Sequence, residues 1–372
     1  MAARVGVKMS GSFTATVTHG GTDAGPAIRW DFSTNGNAVP LPPALHDLLL
    51  QADRTLYPDP AYTALRHRLA EGSHCAVDRI VPTAGNSEGI RRMTLAAMQR
   101  GVREVWVPVH AYADYAAAAT ALGMAVQRFD PQASQDWLAA AARSQREPVL
   151  VWLCEPCNPT GTCLRGSFWS AFAAMAQMHA QLILAVDRAY APVHLPGPEA
   201  PVDRIVAEHA WQLWSPNKAL GLTGVRAGWM QAPARDALLV RPVLEALAPS
   251  WVLSAEGVQM LMHWHDAPVQ QWLASSRRTL ADWLAQQQGG LIEAGWSVHA
   301  TCVPFFLAAP PADWDVSQGL LARLRECGIK LRDAASFGLP GLVRMRVHDP
   351  QAQAALLQAL DEINPNKDKG PR

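Results

Sequence analysis

From about residue 78, short apolar runs alternate with longer Ala-rich stretches of helical spacing, the pattern of a mainly parallel sheet with helices on its faces. The strand candidates are Val105-Trp106-Val107, Val149 to Leu153, Leu182 to Val186 and Trp211 to Trp214. They are short and almost continuously apolar, as strands covered on both faces must be. Helices are expected between them at about 87–100, 113–123 and 167–180. After about residue 250 the pattern changes to a long helical stretch near 255–288 and then to strand-like pieces at 302–308 and 341–347. The expected fold class is α/β, a mainly parallel sheet flanked by helices, with a smaller α+β domain. Residues 45–250 are expected to form the large domain, and 1–44 with 251–364 the smaller one, its N-terminal arm including the Pro-rich segment 39–43. The polar, breaker-rich tail 365–372 is expected to be disordered.

Composition narrows the function classes. The 372 residues are 49% hydrophobic, enough to bury a large core. Basic and acidic residues balance at 32 each, so neither a nucleic-acid footprint nor a polybasic membrane patch is indicated. Small-molecule chemistry is the better starting point. No apolar run approaches the roughly 18 to 20 residues that span a bilayer, and residues 1–27 have no continuous apolar core, so a cytoplasmic protein is expected. Six cysteines do not make a dense disulfide framework in a chain this long. Cys154 and Cys157 have CxxC spacing with Cys163 nearby, but no second ligand pair follows at matching spacing and no metal is expected. His263 and His265, two apart, face different sides of a helix and read as surface or partly buried residues.

In parallel sheets of this kind, functional residues gather just past the carboxyl ends of the strands. Strand 211–214 runs into Ser215-Pro216-Asn217-Lys218, and Arg226 stands eight residues after the lysine. A lysine amine beside a hydroxyl and a guanidinium suits pyridoxal phosphate: Lys218 can form a Schiff base with its aldehyde, while Ser215 and Arg226 donate to its phosphate. Strand 182–186 ends in Asp187, with Tyr190 three residues later. The carboxylate could keep the cofactor's pyridine nitrogen protonated, making the ring an electron sink, and the phenol could hydrogen-bond the ring hydroxyl. Asn158, in the turn Asn158-Pro159-Thr160-Gly161 after strand 149–153, is a second candidate for that hydroxyl. Gly85-Asn86-Ser87-Glu88-Gly89 precedes a helix whose free N–H groups could take the phosphate. After strand 105–107, Tyr112 or Tyr115 could stack on the ring. Each element alone is also an ordinary cap, turn or core residue; their joint order along the chain is what points to a site.

Together these residues resemble the fold-type I, class I/II aminotransferase family, from about His19 to Arg344. The resemblance implies Lys218 as Schiff-base lysine and proton shuttle, Asp187 as pyridinium partner, Asn158 and Tyr190 at the ring hydroxyl and Tyr112 stacked on the ring. It assigns Gly85, Asn86, Ser87, Ser215 and Arg226 to the phosphate. Leu56-Tyr57-Pro58-Asp59-Pro60 is similar to a segment shared by histidinol-phosphate aminotransferases and threonine-phosphate decarboxylases, in which the tyrosine reaches the neighbouring subunit's cofactor. A homodimer with Tyr57 contributed across the interface is therefore implied. His19-Gly20-Gly21, the segment Asp31 to Asn37, and the pair Arg332 and Arg344 look more like the decarboxylase branch, which makes phosphothreonine decarboxylation the first specific expectation and amino-group transfer the second. For amino-group transfer Arg344 is the expected contact of the substrate carboxylate; for decarboxylation Arg332 and Arg344 with His19 would bind the phosphate, and Asn37 is a further expected substrate contact. A non-catalytic amine or cofactor sensor is the remaining alternative, against which the retained Lys218 speaks. Three residues depart from the family pattern: Arg188 after the aspartate, Asn217 before the lysine and Ala38 after Asn37.

Overall fold

The computed structural model describes residues 19–131, 147–179, 181–196, 202–234, 237–312, 314, 316 and 319–364. The expected disordered tail 365–372 and residues 1–18 lie outside this set.

The strands are β1 (Trp30–Asp31), β2 (Ile80–Thr83), β3 (Glu104–Pro108), β4 (Ala125–Phe129), β5 (Val149–Cys154), β6 (Leu182–Asp187), β7 (Trp211–Trp214), β8 (Gly228–Gln231), β9 (Ser297–Val298), β10 (Phe305–Ala309), β11 (Ile329–Lys330), β12 (Arg332–Asp333) and β13 (Val343–Arg346). Seven form one sheet in the order β2-β8-β7-β6-β5-β3-β4. Its pairings are parallel except those of β8, which runs antiparallel to both β2 and β7.

The continuous hydrophobicity of β5 has a direct cause. Val149, Val151 and Leu153 pack with Phe168, Trp169 and Phe172 on one face, while Leu150 and Trp152 pack with Ile90, Met93 and Tyr115 on the other. Side chains alternate across a strand, so only a strand covered on both faces needs every position apolar. All four expected strands and the three helices between them are present, the helices at Asn86–Gln99, Asp114–Ala121 and Gly166–Met178.

Two strands escape this pattern for different reasons. β4 is an edge strand with mostly exposed positions, so it carries little apolar signal. β8 is fully buried but only four residues long. Its Gly228 is required by close approach: a Cβ there would lie 2.4 Å from the Trp214 carbonyl oxygen. The expected long helix near 255–288 is two helices, Ala255–Met262 and Ala267–Glu293. Pro268 in the first turn of the second helix cannot continue the first, and Ser254 caps the first by accepting from the Gly257 N–H at 3.1 Å.

The smaller layer joins the antiparallel sheet β12-β13-β10-β9 to a parallel pair, β1 with β11. The segment around Trp30 thus enters this layer by strand pairing. Helices Ala267–Glu293 and Pro350–Glu362 cover it through Leu280, Leu291, Leu356 and Leu360, packed against Phe32, Phe306 and Met345. Helix Ala255–Met262, beyond the expected boundary at residue 250, packs instead with Ile80 and Trp229 of the large sheet, and Phe305 of β10 enters the same core. No described helix is long and apolar enough to cross a membrane.

The break between the two helices separates the fates of its histidines. His263 Nδ1 lies 2.6 Å from Asp266 Oδ2. His265 lies between Trp229 and Trp264, and burial pushes its imidazole down to about 4. The folded chain therefore takes up this proton at lower pH than the unfolded chain. The stabilisation is complete above the usual imidazole range near 6.5 and is lost as pH falls toward 4. Thermal unfolding recorded from pH 7 to pH 5 is expected to show a falling Tm, and His265→Gln is expected to flatten that fall. An unchanged slope in the variant would place the acid sensitivity elsewhere.

Candidate active site

The carboxyl ends of β3, β5, β6 and β7 open on one cleft. Its walls include Asn86, Ser87, Tyr112, Asn158, Asp187, Tyr190, Lys218 and Arg226, and on the far side His19, Arg332 and Arg344. Residues dispersed over more than 300 positions thus meet because parallel strands deliver their following loops to the same edge.

Asp187 ends β6 and is buried. Asn86 Nδ2 donates to its Oδ1 at 2.6 Å, the Ala189 N–H to the same oxygen at 2.9 Å, and the Tyr115 hydroxyl to Oδ2 at 2.8 Å. Burial pushes this carboxyl up, while nearby Lys218 and the three donors oppose that shift. The same desolvation pushes the Lys218 amine below its usual range, with Asp187 opposing and Arg226 reinforcing. The Lys218 Nζ stands 5.5 Å from the centroid of the Tyr190 ring. The Tyr190 hydroxyl accepts from Asn35 Nδ2 at 3.2 Å.

Gly85 precedes the Asn86–Gln99 helix with φ of 81°. A Cβ there would lie 2.9 Å from Arg226 Nη2 and 3.2 Å from its Cζ. The bare backbone, the helix N-terminus and the guanidinium form an anion cradle at one end of the cleft. Ser87 Oγ is 3.0 Å from the Tyr112 hydroxyl beside it.

At the opposite end, Arg344 on β13 is paired in register with Arg332 on β12. Arg344 donates to Asn158 Oδ1 and, at 2.7 Å, to the Ser33 carbonyl, and its Nε has no hydrogen-bond partner among the described residues. Burial pushes its guanidinium down to about 10, and Arg332 adds to the effect. The two guanidinium carbons lie 5.0 Å (Arg332) and 5.4 Å (Arg344) from the centroid of one ring, Phe337. Arg332 also donates to Ser336 Oγ at 2.7 Å.

The remaining expected residues take these places. Asn37 is buried outside the cleft: its Nδ2 donates to the Ala219 carbonyl and Ser276 Oγ, each at 2.9 Å, and its Oδ1 accepts from the Val39 N–H. With its own N–H on the Lys218 carbonyl, it anchors the lysine loop, and Asn35 is the asparagine that faces the site. The Ser215 hydroxyl donates to Asn217 Oδ1 at 2.7 Å, so the departure at Asn217 gives it a partner within its own loop. The Asn86 amide turns to Asp187, leaving its backbone N–H for an anion. Tyr115, fully buried and stacked at 5.0 Å on Trp152, donates to Asp187, and Tyr112 is partly exposed in the cleft wall. Arg188 packs 5.4 Å from the Trp214 ring outside the cleft. Tyr57 is 77% exposed and stacks at 4.3 Å on Trp251, away from the cleft of its own chain. Cys154 and Cys157 do not share a ligand position: the first donates to the Pro156 carbonyl, the second to that of His110.

Asn35, Ser33, Thr223 and Phe337 also line the cleft, and the sequence reading did not single them out for it. Ser33 and Asn35 belong to the Asp31–Asn37 segment, whereas Thr223 and Phe337 sit in segments of ordinary composition, for which proximity is the only signal.

The fold and site define a pyridoxal-phosphate-dependent enzyme of fold type I. The chain belongs to the class I and II aminotransferase family, whose model it matches over residues 31–360. It is 29% identical over 350 residues to histidinol-phosphate aminotransferase 2 of Pseudomonas aeruginosa, covering 91% of this chain and 90% of that one. Its structure is similar to histidinol-phosphate aminotransferase from Sinorhizobium meliloti in complex with pyridoxal 5'-phosphate, with TM-score 0.75, 19% identity and coverage of 90% of each chain. L-threonine-O-3-phosphate decarboxylase from Porphyromonas gingivalis gives TM-score 0.72 at 20% identity, covering 89% of this chain and 98% of that one.

The residues present fit the cofactor pyridoxal 5'-phosphate. A desolvated amine, a buried carboxylate and an anion cradle occupy the walls of one cleft, and Gly85 leaves the cradle free of a Cβ. Lys218→Ala is expected to abolish the lysine-dependent visible absorption band of cofactor-supplied protein; a retained band would remove Lys218 from its role. Gly85→Ala strains a backbone position favouring glycine and crowds Arg226, and is expected to weaken cofactor binding by roughly tenfold in equilibrium dialysis.

Proposed function

We propose that this enzyme transfers an amino group between a phosphorylated amine of the histidinol-phosphate type and a 2-oxo acid. The observation that carries the reading is the Arg332–Arg344 pair in the cleft wall opposite the anion cradle. Amino-group transfer in two halves requires one site to accept two different anions in turn. Guanidinium forks take a phosphate ester and a carboxylate alike, so the same pair can serve both. Curated relatives of nearly the same length, named histidinol-phosphate aminotransferase, support transfer over the decarboxylation that the sequence pattern put first.

When bound, pyridoxal phosphate supplies the carbonyl that joins the substrate amine and the conjugated ring that accepts electrons released at the substrate Cα. Asp187, which accepts from Asn86, Ala189 and Tyr115, would keep the ring nitrogen protonated. Tyr112 would stack on the ring, and Tyr190, fixed by Asn35, and Asn158 would bond its hydroxyl. Arg226 and the backbone after Gly85 would hold the phosphate. Arg344, oriented by Asn158 and the Ser33 carbonyl, sets the substrate anion so that the Cα–H bond points to Lys218. With its amine desolvated, Lys218 Nζ would take that proton and hold it for return. Tyr57, exposed beside Trp251, reads as the residue each subunit of a homodimer lends to its neighbour.

Incubation with histidinol phosphate and 2-oxoglutarate is expected to yield glutamate, with no carbon dioxide from O-phosphothreonine. Carbon dioxide without glutamate would reject transfer in favour of decarboxylation. Arg344→Lys is expected to lower kcat/KM about a hundredfold while leaving the visible band of the cofactor in place.

A further inference from the structure

Outside the cleft, three side chains from distant parts of the sequence meet. Cys163 follows the turn after β5, His194 closes the short helix Ala191–Val193 beyond β6, and Cys302 lies in the loop before β10. One ligand atom from each, two sulfurs and an imidazole nitrogen, lie within 4.8 Å of one another. The two sulfurs are 2.8 Å apart.

The backbone holds this arrangement. The Cys302 N–H donates to the Gly161 carbonyl at 2.8 Å, and the Leu195 N–H donates to the Cys302 carbonyl at 2.8 Å. The three segments are thus pinned to one another independently of their side chains. All three residues are partly exposed, so an ion can reach them. The Glu155 carboxylate, which accepts from the Leu164 N–H at 3.1 Å, stands beside Cys163. Neither the cofactor cleft nor the proton path uses any of these groups.

We propose that Cys163, Cys302 and His194 bind one divalent cation of the zinc class per chain. Two thiolates and an imidazole are the donors such an ion selects, and a tetrahedral centre leaves a fourth position for water. Binding forms two metal–sulfur bonds and one metal–nitrogen bond, releases the two thiol protons to solvent and transfers no electrons. At ~2.3 Å from each sulfur, a tetrahedral zinc holds two sulfurs roughly 3.8 Å apart, so the ion spreads this pair. A disulfide would instead draw the sulfurs together and give His194 no part. The ion ties the Asn158–Gly161 turn to the loop before β10, whose Phe305 lies 4.8 Å from the Tyr190 ring. It thereby fastens the large sheet to the smaller layer next to the cleft.

The test uses the full-length holoenzyme, stripped with a chelator in a non-thiol reductant and titrated with cobalt(II), then zinc. One equivalent per chain is expected to give thiolate-to-cobalt charge-transfer bands, which zinc abolishes, with two protons released per ion. Competition against a chromophoric chelator is expected to show Kd raised a hundredfold or more by Cys163→Ser or Cys302→Ser and at least tenfold by His194→Gln. Cys75→Ser, outside the cluster, is expected to leave it unchanged. Zinc is also expected to raise Tm in a concentration-dependent way in the wild type and not in Cys302→Ser. Absence of a thiolate–cobalt band at one equivalent in folded wild type overturns the proposal, and so does unchanged affinity in folded Cys302→Ser. Loss of two thiols to a disulfide on removing reductant, without metal uptake, overturns it in favour of a redox pair. The wild-type titration decides the question even if a cysteine variant fails to fold, and it is independent of the transfer reaction.

Discussion

A carboxylate buried at the end of a central strand is the constraint on which the site depends. Left alone at that depth, Asp187 would be costly to ionise. Three donors offset the cost, and each comes from a different element: Asn86 from the start of one helix, Tyr115 from another, and Ala189 from the backbone just past β6. Satisfying Asp187 therefore fixes how these elements dock on the sheet. The same helix start that supplies Asn86 also carries the cradle at Gly85, so the buried carboxylate and the anion cradle are set by a single element.

The second coupling runs between layers. Arg344 belongs to the small antiparallel sheet, yet it donates to Asn158 of the large-sheet loop and to the Ser33 carbonyl of the N-terminal segment. A buried guanidinium tolerates little slack in its partners, so Arg344 ties the placement of the smaller layer to that of the cleft. Asn37 does similar work on the other side, holding the loop of Lys218 through the Ala219 and Lys218 carbonyls. The arginines and the lysine are therefore positioned by residues that touch no reacting atom.

Much of this was legible from periodicity and local chemistry. Strands buried on both faces announce themselves because every residue must be apolar, and residues just beyond them fall at the functional edge. That places Lys218, Asp187, Asn158 and Tyr112 at the cleft edge, where the structure has them; Arg226 precedes β8 and reaches the cleft from another direction. The helix break at 263–266, the edge strand β4 and the short strand β8 were not legible, since Pro268 sat inside an otherwise helical pattern and edge or very short strands carry little apolar signal. The direction of polar side chains was also hidden. Ser215 points to Asn217, the Asn86 amide to Asp187 and Asn37 to the lysine loop, outcomes set by partners far away in sequence.

By itself the sequence determined the class of fold, the cofactor chemistry and the order in which its residues arrive, because these follow from local hydrophobic period and from residues fixed to strand ends. Only the tertiary structure decided which asparagine faces the site, how Arg332 and Arg344 flank Phe337, and that Cys163, His194 and Cys302 meet. These depend on long-range packing between the two layers, and spacing along a chain holds no record of which distant loops that packing brings within reach.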